Sequence, residues 1–149
     1  MTYSLYAEQT VAAPIERVFD FFTDLNTLVQ LTPPFVRLRI LSTETKIWGP
    51  GQRLEYEIRP FVLPLRWVSE ITEFDPPFRF TDEQVKGPYR RWRHVHHFYP
   101  LSTGTLIADD VTYEIPFGFL GRIVHRIVIR RQLDAIFAFR RMRVERYLG

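Results

Sequence analysis

Two histidines one residue apart, His94 and His96, stand in a segment whose hydrophobicity alternates with period two. Both imidazoles therefore fall on one face of a strand predicted over 91–99, together with Trp92 and Phe98. Arg91, Arg93, Val95 and His97 take the other face. The same phase rule over 78–84 groups Asp82 and Gln84 with Phe78 and Phe80, and over 106–115 it groups Asp109 and Tyr113 with Ile107, Val111 and Ile115. Asp82, His94, His96 and Asp109 are thereby expected close together on the inward wall of a sheet. A carboxylate beside an imidazole supports three uses: holding the ring as a general base, orienting a ligand by hydrogen bonding, or closing a satisfied internal network. A metal ion on His94 and His96 would need Asp82 or Asp109 as its third donor, and we expect neither metal nor cofactor. His97 and His125 have no nucleophile pattern beside them, so no catalytic triad is read.

The elements that must position these groups follow from periodicity and punctuation. Residues 3–11 alternate as a first strand, and Pro14 then opens a short helix carrying Ile15, Val18, Phe19 and Phe22 at helical spacing. A second short helix is predicted from Asp24 to Leu31, stopped by Thr32-Pro33-Pro34. From there the period is two, with strands predicted over 36–44, 51–59, 67–75, 78–84, 91–99 and 106–115 and separated by turn residues rather than helices. Such a run makes the sheet antiparallel. Leu54, Tyr56 and Ile58 face inward on one of these strands, and Trp67, Ser69 and Ile71 on the next. Pro60-Phe61-Val62-Leu63-Pro64 reads either as an apolar lid or as packing at the end of two strands.

The chain closes with a long helix, predicted as unbroken from Gly121 to Leu148 and about 42 Å long. Leu120, Ile123, Val124, Ile127, Leu133, Ile136, Phe137 and Arg140 recur along the segment at spacings of three and four, and this stripe is expected to pack on the sheet. The resulting class is α+β with a helix-grip arrangement: a curved antiparallel sheet of about seven strands wrapped around the terminal helix, with two short helices after strand one. A curved sheet cannot pack evenly along a long helix, so a cavity is expected between them. Its expected lining is Tyr56, Trp67, Phe80, Trp92, Phe98, Tyr113 and Ile136, with Ser69, Gln84 and the four polar groups as further ligand contacts.

At 149 residues, with 46% hydrophobic and 15% aromatic content, the chain matches one domain with ample core. The absence of cysteine excludes disulfides, thiolate nucleophiles, zinc–cysteine sites and iron–sulfur clusters, and favours a cytoplasmic setting. No stretch approaches the roughly 20 apolar residues of a membrane span, and the first residues show no basic-then-apolar leader, so a soluble protein is expected. The net charge of +3 is uneven, because residues 118–149 hold eight arginines against Asp134 and Glu145. No nucleic-acid motif accompanies that basic helix, and we expect no nucleic-acid partner and no stable membrane insertion, with a monomer favoured. Contact between the basic helix and a membrane or a protein stays open as a separate use of the chain.

The opening Val11-Ala12-Ala13-Pro14-Ile15-Glu16-Arg17-Val18-Phe19-Asp20 resembles the first strand and helix of the START/SRPBCC superfamily of polyketide cyclases, lipid-transfer domains and allergen-type carriers. Phe80-x-Asp82-x-Gln84-x-x-Gly87-Pro88, followed by Trp92-x-His94-x-His96-x-Phe98, looks like a bacterial ligand-binding subgroup of it. The resemblance covers essentially the whole chain and implies a cavity for a small hydrophobic or amphipathic molecule. The superfamily holds carriers and enzymes, so binding or transport is the expectation. A cyclase- or hydrolase-like enzyme using His94 or His96 with Asp82 or Asp109 is the alternative.

Overall fold

The computed structural model describes all residues from Met1 to Gly149. Seven strands form a single antiparallel sheet: β1 (Thr2–Val11), β2 (Arg39–Ile40), β3 (Arg53–Ile58), β4 (Leu65–Asp75), β5 (Arg79–Lys86), β6 (Arg91–Leu101) and β7 (Gly104–Glu114). Their order across the sheet is β1-β7-β6-β5-β4-β3-β2, so β1 reaches over the later strands to pair with β7. Register shifts between β4 and β5, at Val68/Ser69 and Ile71/Glu73, are bulges that bend the sheet and increase its twist.

Two short helices, α1 (Ile15–Phe22) and α2 (Leu25–Gln30), close one end of the sheet. Pro14 precedes the first turn of α1 with φ −68°, and its carbonyl accepts from Val18 N at 3.1 Å. All four residues of the predicted apolar face, Ile15, Val18, Phe19 and Phe22, are buried. Asp24 caps α2 by accepting from Asn26 N at 2.9 Å, which satisfies one of the free amides of the first turn.

The strand expected over 36–44 shrinks to Arg39–Ile40. Pro34–Val36 instead form a tight 3₁₀ turn, and Arg37 follows in the left-handed region at φ +52°. Beyond Ile40 the chain bonds to the helical end of the molecule: Leu25 N donates to Thr45 O at 3.0 Å and Ile47 N to Thr23 O at 2.8 Å. Gln52 holds the loop shut, accepting from Trp48 N and donating to Lys46 O. Phe78, expected on the strand with Phe80, lies in the β4–β5 turn and is exposed.

Phe117 and Gly118, with φ +71° and +48°, turn the chain out of β7. The run from 118 to 148 is helical throughout, as α3 (Gly118–Val124), a π-helical turn (His125–Ile129) and α4 (Arg130–Leu148). Its apolar stripe does not pack along its whole length as expected. Val144 and Leu148 enter the main core with α1, and Leu133 joins a smaller cluster with Leu5, Val111 and Tyr113. Toward the N-terminal end only Gly121 and His125 are buried, whereas Leu120, Ile123, Val124 and Ile127 are exposed. The helix is gripped at its far end, and toward its start it reaches the sheet mainly through His125, which stacks on Tyr3 and bonds to Tyr113. No helix is long and apolar enough to cross a membrane.

The helix also meets the outer edge of β1. Arg130 Nη1 donates to Ser4 O at 3.3 Å, Arg141 Nη1 donates to Glu8 O at 2.7 Å, and Gln9 Nε2 donates to Arg141 O at 2.9 Å.

Candidate functional site

Backbone register sets Asp82 opposite His94 and His96 opposite Asp109. The side chains bond diagonally instead. His96 Nε2 lies 2.8 Å from Asp82 Oδ2, and His94 Nε2 lies 2.7 Å from Asp109 Oδ1. Crossing in this way lets the imidazoles stack, with centroids 3.7 Å apart and planes at 19°. Phe80 stacks on the other face of His96 at 4.1 Å. From the helix, Arg140 Nη2 donates to the same Asp109 Oδ1 at 3.0 Å, and its guanidinium sits 4.9 Å over the Phe22 ring.

These contacts set the charges. Burial and the neighbouring His94 ring push His96 down to about 4 against the pull of Asp82, so it is neutral near pH 7. Burial opposes ionisation of Asp82, but the hydrogen bond from His96, followed by His94 and Arg140, outweighs it and holds the carboxyl below its usual range. For Asp109 burial acts the same way, and Arg140 and the His94 hydrogen bond drive it well below that range. With both carboxylates ionised, Nε2 of each histidine carries the proton and donates it. His96 Nδ1 is then a bare acceptor, buried without a partner and 3.7 Å from Asp109 Oδ1. Asp82, His94 and His96 each present a donor atom within 4.8 Å of the others, which is close enough for one ion. In this arrangement, however, both rings direct Nε2–H at a carboxylate.

A cavity of about 560 Å³ opens beside this cluster, and 25 of its 38 lining residues are hydrophobic, which sets its preference for an apolar occupant. Of the residues singled out in the sequence, Tyr56, Trp67, Ser69, Phe80, Asp82, Trp92, His94, His96 and Ile136 line it. Ser69 is a buried hub, accepting from Trp67 Nε1 at 3.0 Å and paired with the Tyr56 hydroxyl at 3.1 Å. The walls are aromatic: Tyr56 stacks on Trp67, and Trp92 meets Trp67 edge-on at 5.5 Å.

The other four lie elsewhere. Gln84 turns away to clamp the β5–β6 turn, donating to Tyr89 O at 2.7 Å and accepting from Tyr89 N at 3.1 Å. Phe98 is packed among Phe19, Phe22 and Phe80 in the core. Tyr113 is buried with its hydroxyl 2.7 Å from His125 Nε2. Asp109 sits behind the histidines and faces a smaller recess of about 210 Å³. Phase identifies a face of the sheet but not the depth along a strand, and these four lie at its ends or behind the first layer. The sequence reading also missed Tyr89, Phe137 and Arg140 as lining residues. Arg140 was visible as a cation in register with the apolar stripe.

A family model described as polyketide cyclase / dehydrase and lipid transport matches residues 11–137. The chain belongs to this family. Solved structures share its fold over nearly their whole length. TTHA0849 from Thermus thermophilus is 22% identical with a TM-score of 0.65, covering 95% of this chain and 97% of that one. An Arthrobacter aurescens protein is 12% identical at TM-score 0.72, covering 96% and 86%. Norcoclaurine synthase from Thalictrum is 18% identical at TM-score 0.65, covering 98% and 96%. No curated protein matches the sequence. As a member of this family the chain is an α+β helix-grip domain of the hydrophobic-ligand-binding type.

Proposed function

We propose that the chain binds a small, mainly apolar molecule carrying one hydroxyl or amine donor, held in the cavity with that donor on Asp82. The observation that carries this reading is an ionised carboxylate, bonded only to His96, at the wall of a predominantly apolar space. A buried anion facing an apolar ligand is costly unless the ligand donates to it. Tyr56, Trp67, Phe80 and Trp92 supply flat walls, which favours a ligand containing a ring. Ser69 fixes two of those walls, His94 and Asp109 hold His96 in place, and Ile136 covers the occupant from the helix.

Transport of such a molecule is the use we favour over turnover. Norcoclaurine synthase, which shares the fold, is an enzyme, and the catalytic alternative would use His94 or His96 as a base. A general base works best with a pKa near the operating pH, and His96 at about 4 is far below it.

Matched probes test the reading: 2-naphthol and naphthalene differ only in the donor. Wild type should prefer the naphthol, and Asp82→Asn should reduce that preference by about tenfold or more, since a hydrogen bond to a charged group contributes about 1.5–3 kcal/mol. Equal preference in wild type and variant would remove Asp82 as the anchor. Turnover of an ester or thioester that collapses in a folded His96→Gln variant would favour the enzyme.

A further inference from the structure

Large hydrophobic side chains are exposed in two segments that both border the cavity. The β3–β4 loop presents Phe61, Val62 and Leu63, with Val62 83% exposed, and the start of the helix presents Phe117, Phe119 and Leu120, with Phe117 82% exposed. Phe61, Phe117 and Leu120 also line the cavity, so the two sets flank one opening. Exposed apolar side chains gathered around one opening mark a contact site.

On the helix side of the rim the charges are of one sign. Residues 115–133 contain four arginines and no acidic residue. Arg122 and Arg126 are exposed and have no carboxylate within 4.0 Å, whereas Arg130 is held by Asp134. Arg122 lies 5.8 Å over the Phe119 ring, which keeps a cation level with an apolar tip. A two-fold contact between copies of this chain through the rim would bring the same uncompensated arginines toward each other, and like charges oppose that. An anionic bilayer surface satisfies both features, taking the side chains into the acyl boundary and the arginines among its phosphates.

We infer that the rim formed by Phe61–Leu63 and Phe117–Leu120, with Arg122 and Arg126, docks reversibly on anionic lipid and holds the cavity mouth against the bilayer. Docking places an apolar ligand's exit in lipid rather than water. That purpose rests on the cavity reading, while the docking itself does not.

The full chain is sedimented with vesicles of phosphatidylcholine alone and of phosphatidylcholine doped with phosphatidylglycerol, at low and high salt. Association with the anionic vesicles, weakened by salt, is expected. Arg122→Gln and Arg126→Gln should each weaken it by about fivefold. Val62→Ser/Leu63→Ser, at two exposed positions outside the cavity lining, should weaken it by about tenfold or more while leaving naphthol binding in solution intact. Loss of naphthol binding in wild type would sink the cavity reading alone. The docking inference is overturned if anionic vesicles recruit no wild-type protein, or if recruitment is unchanged in the rim variants. It is equally overturned if, without lipid, the wild type is a dimer that the Val62→Ser/Leu63→Ser substitution converts to monomer.

Discussion

Asp109 accepts from two directions, from His94 at 2.7 Å and from Arg140 at 3.0 Å, and so ties the long helix to the interior of the sheet. His96 beside it is the group whose titration the fold alters most usefully. Its pKa of about 4 lies below the ordinary 6.5, so as pH falls the unfolded chain takes up this proton before the folded one does. The associated stability is present above about pH 6.5 and is lost between about 6.5 and 4, amounting to about 3 kcal/mol. Asp82 and Asp109, held below their usual range, extend the loss to still lower pH. Thermal melts across pH should show Tm declining through that window, and His96→Gln should flatten the upper part while keeping the lower. A wild-type Tm constant across the window contradicts this assignment. At this scale the sequence was informative wherever alternation applied: Asp82, His94 and His96 declared their face because Phe80, Trp92 and Phe98 share it. Gln84 did not declare its partner, because the Tyr89 backbone it clamps comes from a turn whose path periodicity does not determine.

The long helix shows how an amphipathic stripe can be right in phase and wrong in use. Leu133, Val144 and Leu148 are buried, while Leu120 at the other end is 65% exposed, although both ends follow helical spacing. The sheet curves away from the start of the helix, and the space between becomes the cavity. Leu148→Ala should therefore lower unfolding stability by about 2–5 kcal/mol, the usual cost of deleting a buried leucine side chain. Leu120→Ala should change it by less than about 0.5 kcal/mol. Urea titration of the two variants measures the contrast, and comparable losses would mean that α3 is part of the core. The π-helical turn at His125–Ile129 was not legible, since its residues carry no Pro or Gly to mark an irregularity. The shortening of the strand after α2 to Arg39–Ile40 was not legible, since it depends on hydrogen bonds that Thr45 and Ile47 make to Leu25 and Thr23.

Across the whole molecule, the order of strand, two helices, six strands and helix could be read from period and punctuation, because each change of period coincides with a proline or glycine. What could not be read is how far the layers stand apart, which depends on the bulges in β4 and β5 and sets the cavity volume. The arginines that reach β1 have a bearing on self-association. β1 is a ten-residue edge strand, and the free carbonyls along such an edge are a template for a strand from another molecule. Ser4 and Glu8, four residues apart, turn their carbonyls the same way, and Arg130 and Arg141 occupy both. The basic helix thus occupies two of the edge carbonyls that an incoming strand would use. An Arg130→Gln/Arg141→Gln chain should melt close to the wild-type temperature, since each contact is exposed, yet under agitation it should develop thioflavin T fluorescence after a shorter lag.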